Sequence, residues 1–158
     1  MSTNSKEDSR HEFAMLLTQM KRHGRLLMVP ARHQFTVRRL LEPLGPPPAL
    51  VTSIVTESNG IELHKDEDWV LALFGVDTIG APEDTPPAWT LPKATTDWRE
   101  NNILAREDDW AVGLWCFGNI IISSCRGISE WSPVTRQFEL KNVSLADWTR
   151  RLSVELSE

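Results

Sequence analysis

The sequence predicts an α+β domain in which N-terminal helices and one C-terminal helix pack a mixed, mainly antiparallel sheet. Three observations carry this: apolar residues recur at helical spacing through the N-terminal third, short β-rich runs follow from Ile61 to Leu140, and an amphipathic segment closes the chain from Ser144 to Leu156. At 158 residues and 41% apolar composition, one such domain can bury a sizeable core without disulfides or metals.

Residues 1–9 are small, polar and charged, and are expected to form a disordered tail ahead of a single domain over residues 10–158. A first helix is expected from Ser9 or Arg10, with Phe13, Leu16, Leu17 and Met20 on one face. Gly24 is placed to stop it, behind the favourable C-terminal cations Lys21, Arg22 and His23. Leu26 to Val29 reads as a brief strand. A second helix follows Pro30, carries Phe35, Val37, Leu40, Leu41 and Leu44, and is limited by Pro43 and Gly45. Pro46-Pro47-Pro48 forces an extended connection, after which Leu50, Val51, Ile54 and Val55 mark a third helix over Ala49–Ser58. Asn59-Gly60 is expected to end it through a left-handed cap.

Ile61 to Leu63 and Trp69 to Phe74 read as strands around the charged turn Lys65–Asp68. The proline-rich stretch Gly80–Pro92 is expected to cross the surface as an ordered loop, and Thr95 or Thr96 to cap a short helix containing Trp98. Ile103–Ala105, Trp110–Cys116 and Asn119–Cys125 suit a meander turning at Gly118-Asn119 and again at Arg126-Gly127. Ile128–Trp131 and Phe138–Leu140 complete the strands. Ser144 caps the last helix, whose Leu145, Trp148, Leu152 and Leu156 share a face.

The charges bound the function. With 17 basic and 22 acidic side chains the net charge is -5, which disfavours a nucleic-acid backbone as the partner and suits a basic one. The basic groups Lys21, Arg22, Arg25, Arg32, Arg38 and Arg39 gather in the N-terminal half, but lack the interleaved aromatics that stack bases. No signal-peptide core opens the sequence, and no window approaches the roughly 18 apolar residues that span a bilayer. A cytoplasmic protein without membrane contact is expected.

Chemistry-bearing motifs are sparse. His11, His23, His33 and His64 are scattered without metal-site spacing and read as solvated side chains. Cys116 and Cys125 lack CxxC spacing and read as small core residues of a reducing compartment. Ser123, Ser124 and Cys125 stand in no nucleophile elbow. No metal, no cofactor and no catalytic residue is expected, and a binding protein is favoured over an enzyme.

Seven tryptophans stand against no tyrosine. Trp110, Trp115, Trp131 and Trp148 fall on strand or helix faces and should fill the core. Trp69, Trp89 and Trp98 lie beside the acidic turn, in the proline-rich loop and in a polar helix, where fewer local partners bury them. Two acidic clusters accompany them, Glu62 with Asp66, Glu67 and Asp68, and Glu107 with Asp108 and Asp109. Charged turns are usually only solvated. Exposed tryptophan among carboxylates is nonetheless the composition of an interface hot spot, and these ten residues form the expected partner-binding face.

Motif order adds a resemblance. Arg38 to Gly45, the Pro-Pro-Pro-Ala-Leu run to Leu50 and Thr56 to Gly60 are similar to the helix, proline break and Asn-Gly helix end of the SUKH superfamily. Leu71 to Ile79, Trp110 to Ile122 with Phe117-Gly118, Gly127 to Trp131 and Ser144 to Trp148 resemble its later strands and last helix, so the likeness covers about residues 30–155. Three prolines replace the usual Leu-Pro step, and only Glu107-Asp108-Asp109 stands where a longer acidic, glycine-rich segment is often found. The resemblance implies one α+β domain with helices on one side of a mixed sheet. It also implies a non-catalytic immunity protein that neutralises a cognate bacterial toxin, with toxin-facing residues that vary between members. A toxin with a basic active site, blocked by the acidic tryptophan face, is the expected partner. The alternative is a regulatory or scaffold module, of host-cell or viral origin, that binds a cellular protein; a hydrolase with an unrecognised carboxylate pair ranks last.

Overall fold

A computed structural model describes residues 2–158, with side chains from Asp8 onward. The chain runs α1 (Ser2–His23), β1 (Arg25–Met28), α2 (Gln34–Leu41), a 3₁₀ turn (Glu42–Leu44), α3 (Ala49–Glu57), β2 (Gly60–Lys65), β3 (Asp68–Phe74), α4 (Leu91–Asn101), β4 (Trp110–Trp115), β5 (Ile120–Ser124), β6 (Gly127–Ser132), β7 (Gln137–Val143) and α5 (Leu145–Ser157). The α+β class is therefore as the sequence predicts. Antiparallel pairing joins neighbours from β1 to β7, and the parallel element is an isolated bridge between Gly75 and Thr90.

Of the tail expected over residues 1–9, Met1 lies outside the described residues, and α1 begins at Ser2 instead of Ser9 or Arg10. No proline or glycine interrupts Ser2–Ser9, so a helix already nucleated by the packed Phe13, Leu16 and Met20 propagates backward at little cost.

Alternation along each strand divides the sheet into two faces. Met28, Ile61, Leu73, Gly113, Ile121, Glu130 and Leu140 oppose one another in one cross-strand row. On this face pack α1, α3 and α5, burying Leu16, Met20, Val51, Ile54, Trp148 and Leu152. Trp148 has no exposed surface, and its Nε1 donates to Oε2 of the buried Glu130 at 2.7 Å. The partner row is Leu27, Glu62, Ala72, Leu114, Ile120, Trp131 and Phe138. A second cluster of Trp98, Ala111, Ile122 and Trp131 forms on that face, where α4 contributes its one tryptophan. Helices thus lie on both sides of the sheet, correcting the one-sided packing that the resemblance implies.

The position of α4 follows from where β3 and β4 part. They pair only from Leu71–Leu73 to Gly113–Trp115, and α4 bridges the widening gap. The amide of Leu91 donates to the carbonyl of Gly75, and that of Ala111 to Oγ1 of Thr95. Thr95 is therefore a buried tie instead of a cap; the N-cap is Thr90, whose Oγ1 accepts from the Lys93 amide at 3.4 Å. Pro92 occupies the first turn, where its missing donor costs nothing. Ser144 caps α5 as expected, accepting from the Asp147 amide. Ile103–Ala105 is a turn, with Asn102 Oδ1 accepting from the Leu104 amide, and adds no strand.

Asn59 departs most from its expected role. The C-cap of α3 is Ser58 in extended backbone, and Asn59 is buried as a clamp on the chain leaving β3. Its Nδ2 donates to Oδ1 of Asp77 (2.8 Å) and to the carbonyl of Ile79 (2.9 Å), while its Oδ1 accepts from the Val76 amide. Arg32 Nε donates to the other oxygen of Asp77 at 3.0 Å. Burial raises the Asp77 pKa, but the donors Asn59, Arg32 and the Ile79 amide outweigh it and hold the carboxyl below its ordinary 3.8. A depressed folded pKa contributes stability above the unfolded value and loses it as pH falls through the lowered one. Urea denaturation in a pH series should therefore show an acid limb below about pH 4 that flattens in Asp77→Ala.

Both sheet edges are blunted. β1 has four residues, and β7 carries register shifts opposite β6 with the left-handed Asn142 (φ 53°), so neither offers a long flat ladder.

Candidate functional site

The ten residues expected on a binding face separate into three groups. The first surrounds the β2–β3 turn, where Asp66, Glu67 and Asp68 are exposed. Asp66 adopts a left-handed backbone (φ 59°), which an aspartate in a tight turn tolerates. A bulge at Val70 sets the neighbouring aromatic: Leu63 opposes Leu71 but His64 opposes Trp69, so one extra residue brings Trp69 onto the face of Glu62 and His64. Glu62 Oε1 and His64 Nε2 lie 3.1 Å apart. Trp69 meets Trp89 edge to face at 4.9 Å, and Trp89 in turn leans on Phe74. Both tryptophans are half-buried.

The second group is at the opposite end of the sheet. Glu107, Asp108 and Asp109 precede β4, whose far end adjoins β3 near the acidic turn, roughly 17 Å along a six-residue strand. Glu107 is exposed, but Asp109 is only 5% exposed and accepts from Trp98 Nε1, the Arg106 amide and Arg126. Asp108 accepts from Arg126 and from the Cys125 thiol. That thiol bond is the largest influence holding the Asp108 carboxyl low and the Cys125 thiol up.

Trp98 is the third case and a correction. It is 4% exposed, packed edge to face against Trp131 and Phe138. Trp98 and Asp109 therefore form an internal pair and leave the expected contact face. The cysteines are corrected in the other direction: Cys116 and Cys125 are both exposed because each falls just beyond a strand, at a hairpin turn. Trp110, Trp115, Trp131 and Trp148 are buried as expected.

The fold adds carboxylates that the sequence reading did not place. Lys65 Nζ, in the β2–β3 turn, donates to the carbonyl of Leu156, bringing the C-terminus of α5 beside that turn. Burial, then Glu130, Glu158 and Glu139, push the Glu155 carboxyl above its ordinary pKa. Asp66, Glu67, Asp68, Glu139, Glu155 and Glu158 thus make one end of the sheet an acidic pole. The last turn of α5 carries no basic residue of its own, and Lys65 from the β2–β3 turn supplies the cation at its C-terminal carbonyls. That missing Lys or Arg was the available sequence signal.

Between α4 and the sheet lies a groove of about 670 Å³ lined by Phe74, Trp89, Ala94, Trp98, Leu114 and Ile120, with Lys93, Asp97 and Glu100 along α4. A second groove of about 700 Å³ separates α2 from α3 on the helical side, over Val37, Leu41 and Val55, with Arg32 and Arg38 at its border. Among the described residues no three His, Cys, Asp or Glu side chains stand close enough to hold a metal ion, and no helix is long and apolar enough to cross a membrane. Comparison with protein-family models and with curated protein sequences finds no match to the chain.

Proposed function

We propose that this chain is a non-enzymatic binding protein of the immunity type, similar to SUKH proteins, which neutralises a toxin by covering a basic active site. The observation that carries the reading is the acidic pole: carboxylates from the β2–β3 turn, β7 and α5 converge at one end of the sheet, where burial first, and then Glu130, Glu158 and Glu139, raise the Glu155 pKa. A surface with that much like charge is relieved by a cationic partner, and the field it projects steers one toward it. Trp69, directly beside Asp68 and backed by Trp89, supplies a rigid apolar anchor at the same place. Binding there occludes the partner's site sterically while carboxylates stand where substrate phosphates would.

Asp66→Asn, Glu67→Gln and Asp68→Asn together should slow association about tenfold at low salt, with a smaller difference at high salt. Asparagine also accepts the left-handed backbone of position 66, so folding is spared. Glu107→Gln, at the other end of the sheet, serves as the control and should leave the rate unchanged. Stopped-flow association with the captured partner measures both; equal rates for the triple variant and the parent refute the electrostatic mechanism.

A scaffold that joins two proteins is the second reading. It is favoured by the α2–α3 groove, on the opposite side of the molecule, whose Arg38 lies over the exposed ring of Phe35 at 5.9 Å.

A further inference from the structure

We propose that the groove between α4 and the sheet binds a segment of the partner protein in which aliphatic side chains alternate with lysine or arginine; this rests on the acidic-pole reading of function. The second face of the sheet is closed at two places, by Trp89 over Phe74 and by Trp98 beside Trp131, and left open between them. In that opening Leu114 and Ile120, neighbours in one cross-strand row, are only half-buried on its floor. About 670 Å³ of concave space over an apolar floor is within the range of a specific binding cleft.

The charge of the border selects the occupant. Asp97 and Glu100 are exposed, and among the described residues neither is in a salt bridge. Arg99, between them in sequence, is withdrawn to the carbonyls of Leu44 and Asp109, leaving Lys93 as the lining cation. Trp89 forms the wall and its far side touches Trp69, the residue after Asp68, so one aromatic contact separates the groove from the acidic pole. A segment with apolar groups facing Leu114 and Ile120 and cations facing α4 complements both parts. The small Ala88 and Ala94 leave room for side chains instead of backbone alone.

The test is a titration of the full-length, isotope-labelled chain with an alternating leucine–lysine heptapeptide, followed by NMR of the indoles and of the Leu114 and Ile120 amides. The expected result is saturable shifts of Trp89, Trp98, Leu114 and Ile120, with Trp110 and Trp148 unmoved, and binding weakened about tenfold by Asp97→Lys with Glu100→Lys. Shifts restricted to the β2–β3 turn overturn the groove inference while leaving the pole reading intact. Equal binding of a leucine–glutamate peptide overturns the charge assignment, and shifts that grow with protein concentration alone assign the groove to a second copy of the chain. No shift at millimolar peptide overturns the inference outright. Groove shifts that persist in the Asp66, Glu67 and Asp68 triple variant, beside an unchanged partner association rate, would locate failure in the pole reading alone.

Discussion

Gly75→Ala is expected to cost about 3 kcal/mol or more, a large part of the stability of a domain this size. The reason is a close backbone approach: a Cβ at position 75 would lie 2.3 Å from the carbonyl oxygen of Asn59 and 2.5 Å from its Oδ1. Neither atom can retreat easily, because Asn59 simultaneously holds the Val76 amide, Asp77 and the carbonyl of Ile79. Asn59→Ala attacks the same junction chemically and should cost about 3 kcal/mol, since it leaves the buried Val76 amide without an acceptor. Gly118→Ala provides the comparison. Its φ of 103° is unfavourable for alanine, but nothing lies within 4 Å, so about 1 kcal/mol is expected. Urea denaturation of the three variants decides the matter, and equal losses at positions 75 and 118 would contradict the clamp.

Trp148→Ala should be at least as damaging, at about 4 kcal/mol, because it empties the fully buried centre of the α5–sheet contact. The loss has two parts that can be separated. Trp148→Phe keeps most of the volume but removes the indole donor from buried Glu130, whose carboxylate then has no partner in its place. Adding Glu130→Leu removes the orphaned charge, so the double variant should recover stability relative to Trp148→Phe. Thermal or urea unfolding of the single and double variants measures the coupling; additive losses would show that the indole bond contributes little.

Trp148 and Asn59 differ in how far local sequence encodes their roles. Trp148 was legible because its neighbours Leu145, Leu152 and Leu156 repeat at helical spacing behind the cap Ser144, and local periodicity reports local burial. Asn59 was legible only as a helix end. Its hydrogen bonds reach to residues 76–79, across the whole β2–β3 hairpin, and no local pattern encodes that reach. Trp98 failed for a related reason: its own helix is polar, and the apolar surface that buries it comes from β4, β5 and β6. The candidate face was half legible. The Asp66–Asp68 turn was visible as a charge run, whereas Glu139, Glu155 and Glu158 join it from β7 and α5 through tertiary packing. Asp109 shows the converse, since a carboxylate in an acidic run can be an internal acceptor, and only its donors reveal this.

The most direct measurement for the binding account is a capture experiment with the parent chain and the Asp66, Glu67 and Asp68 triple variant as baits in lysate from the native source. Any protein retained is then expressed alone and together with the chain. The account predicts one growth-inhibiting protein, retained strongly by the parent and weakly by the variant, whose toxicity disappears on co-expression. A protein retained equally by both baits, or one whose expression is harmless, would contradict it.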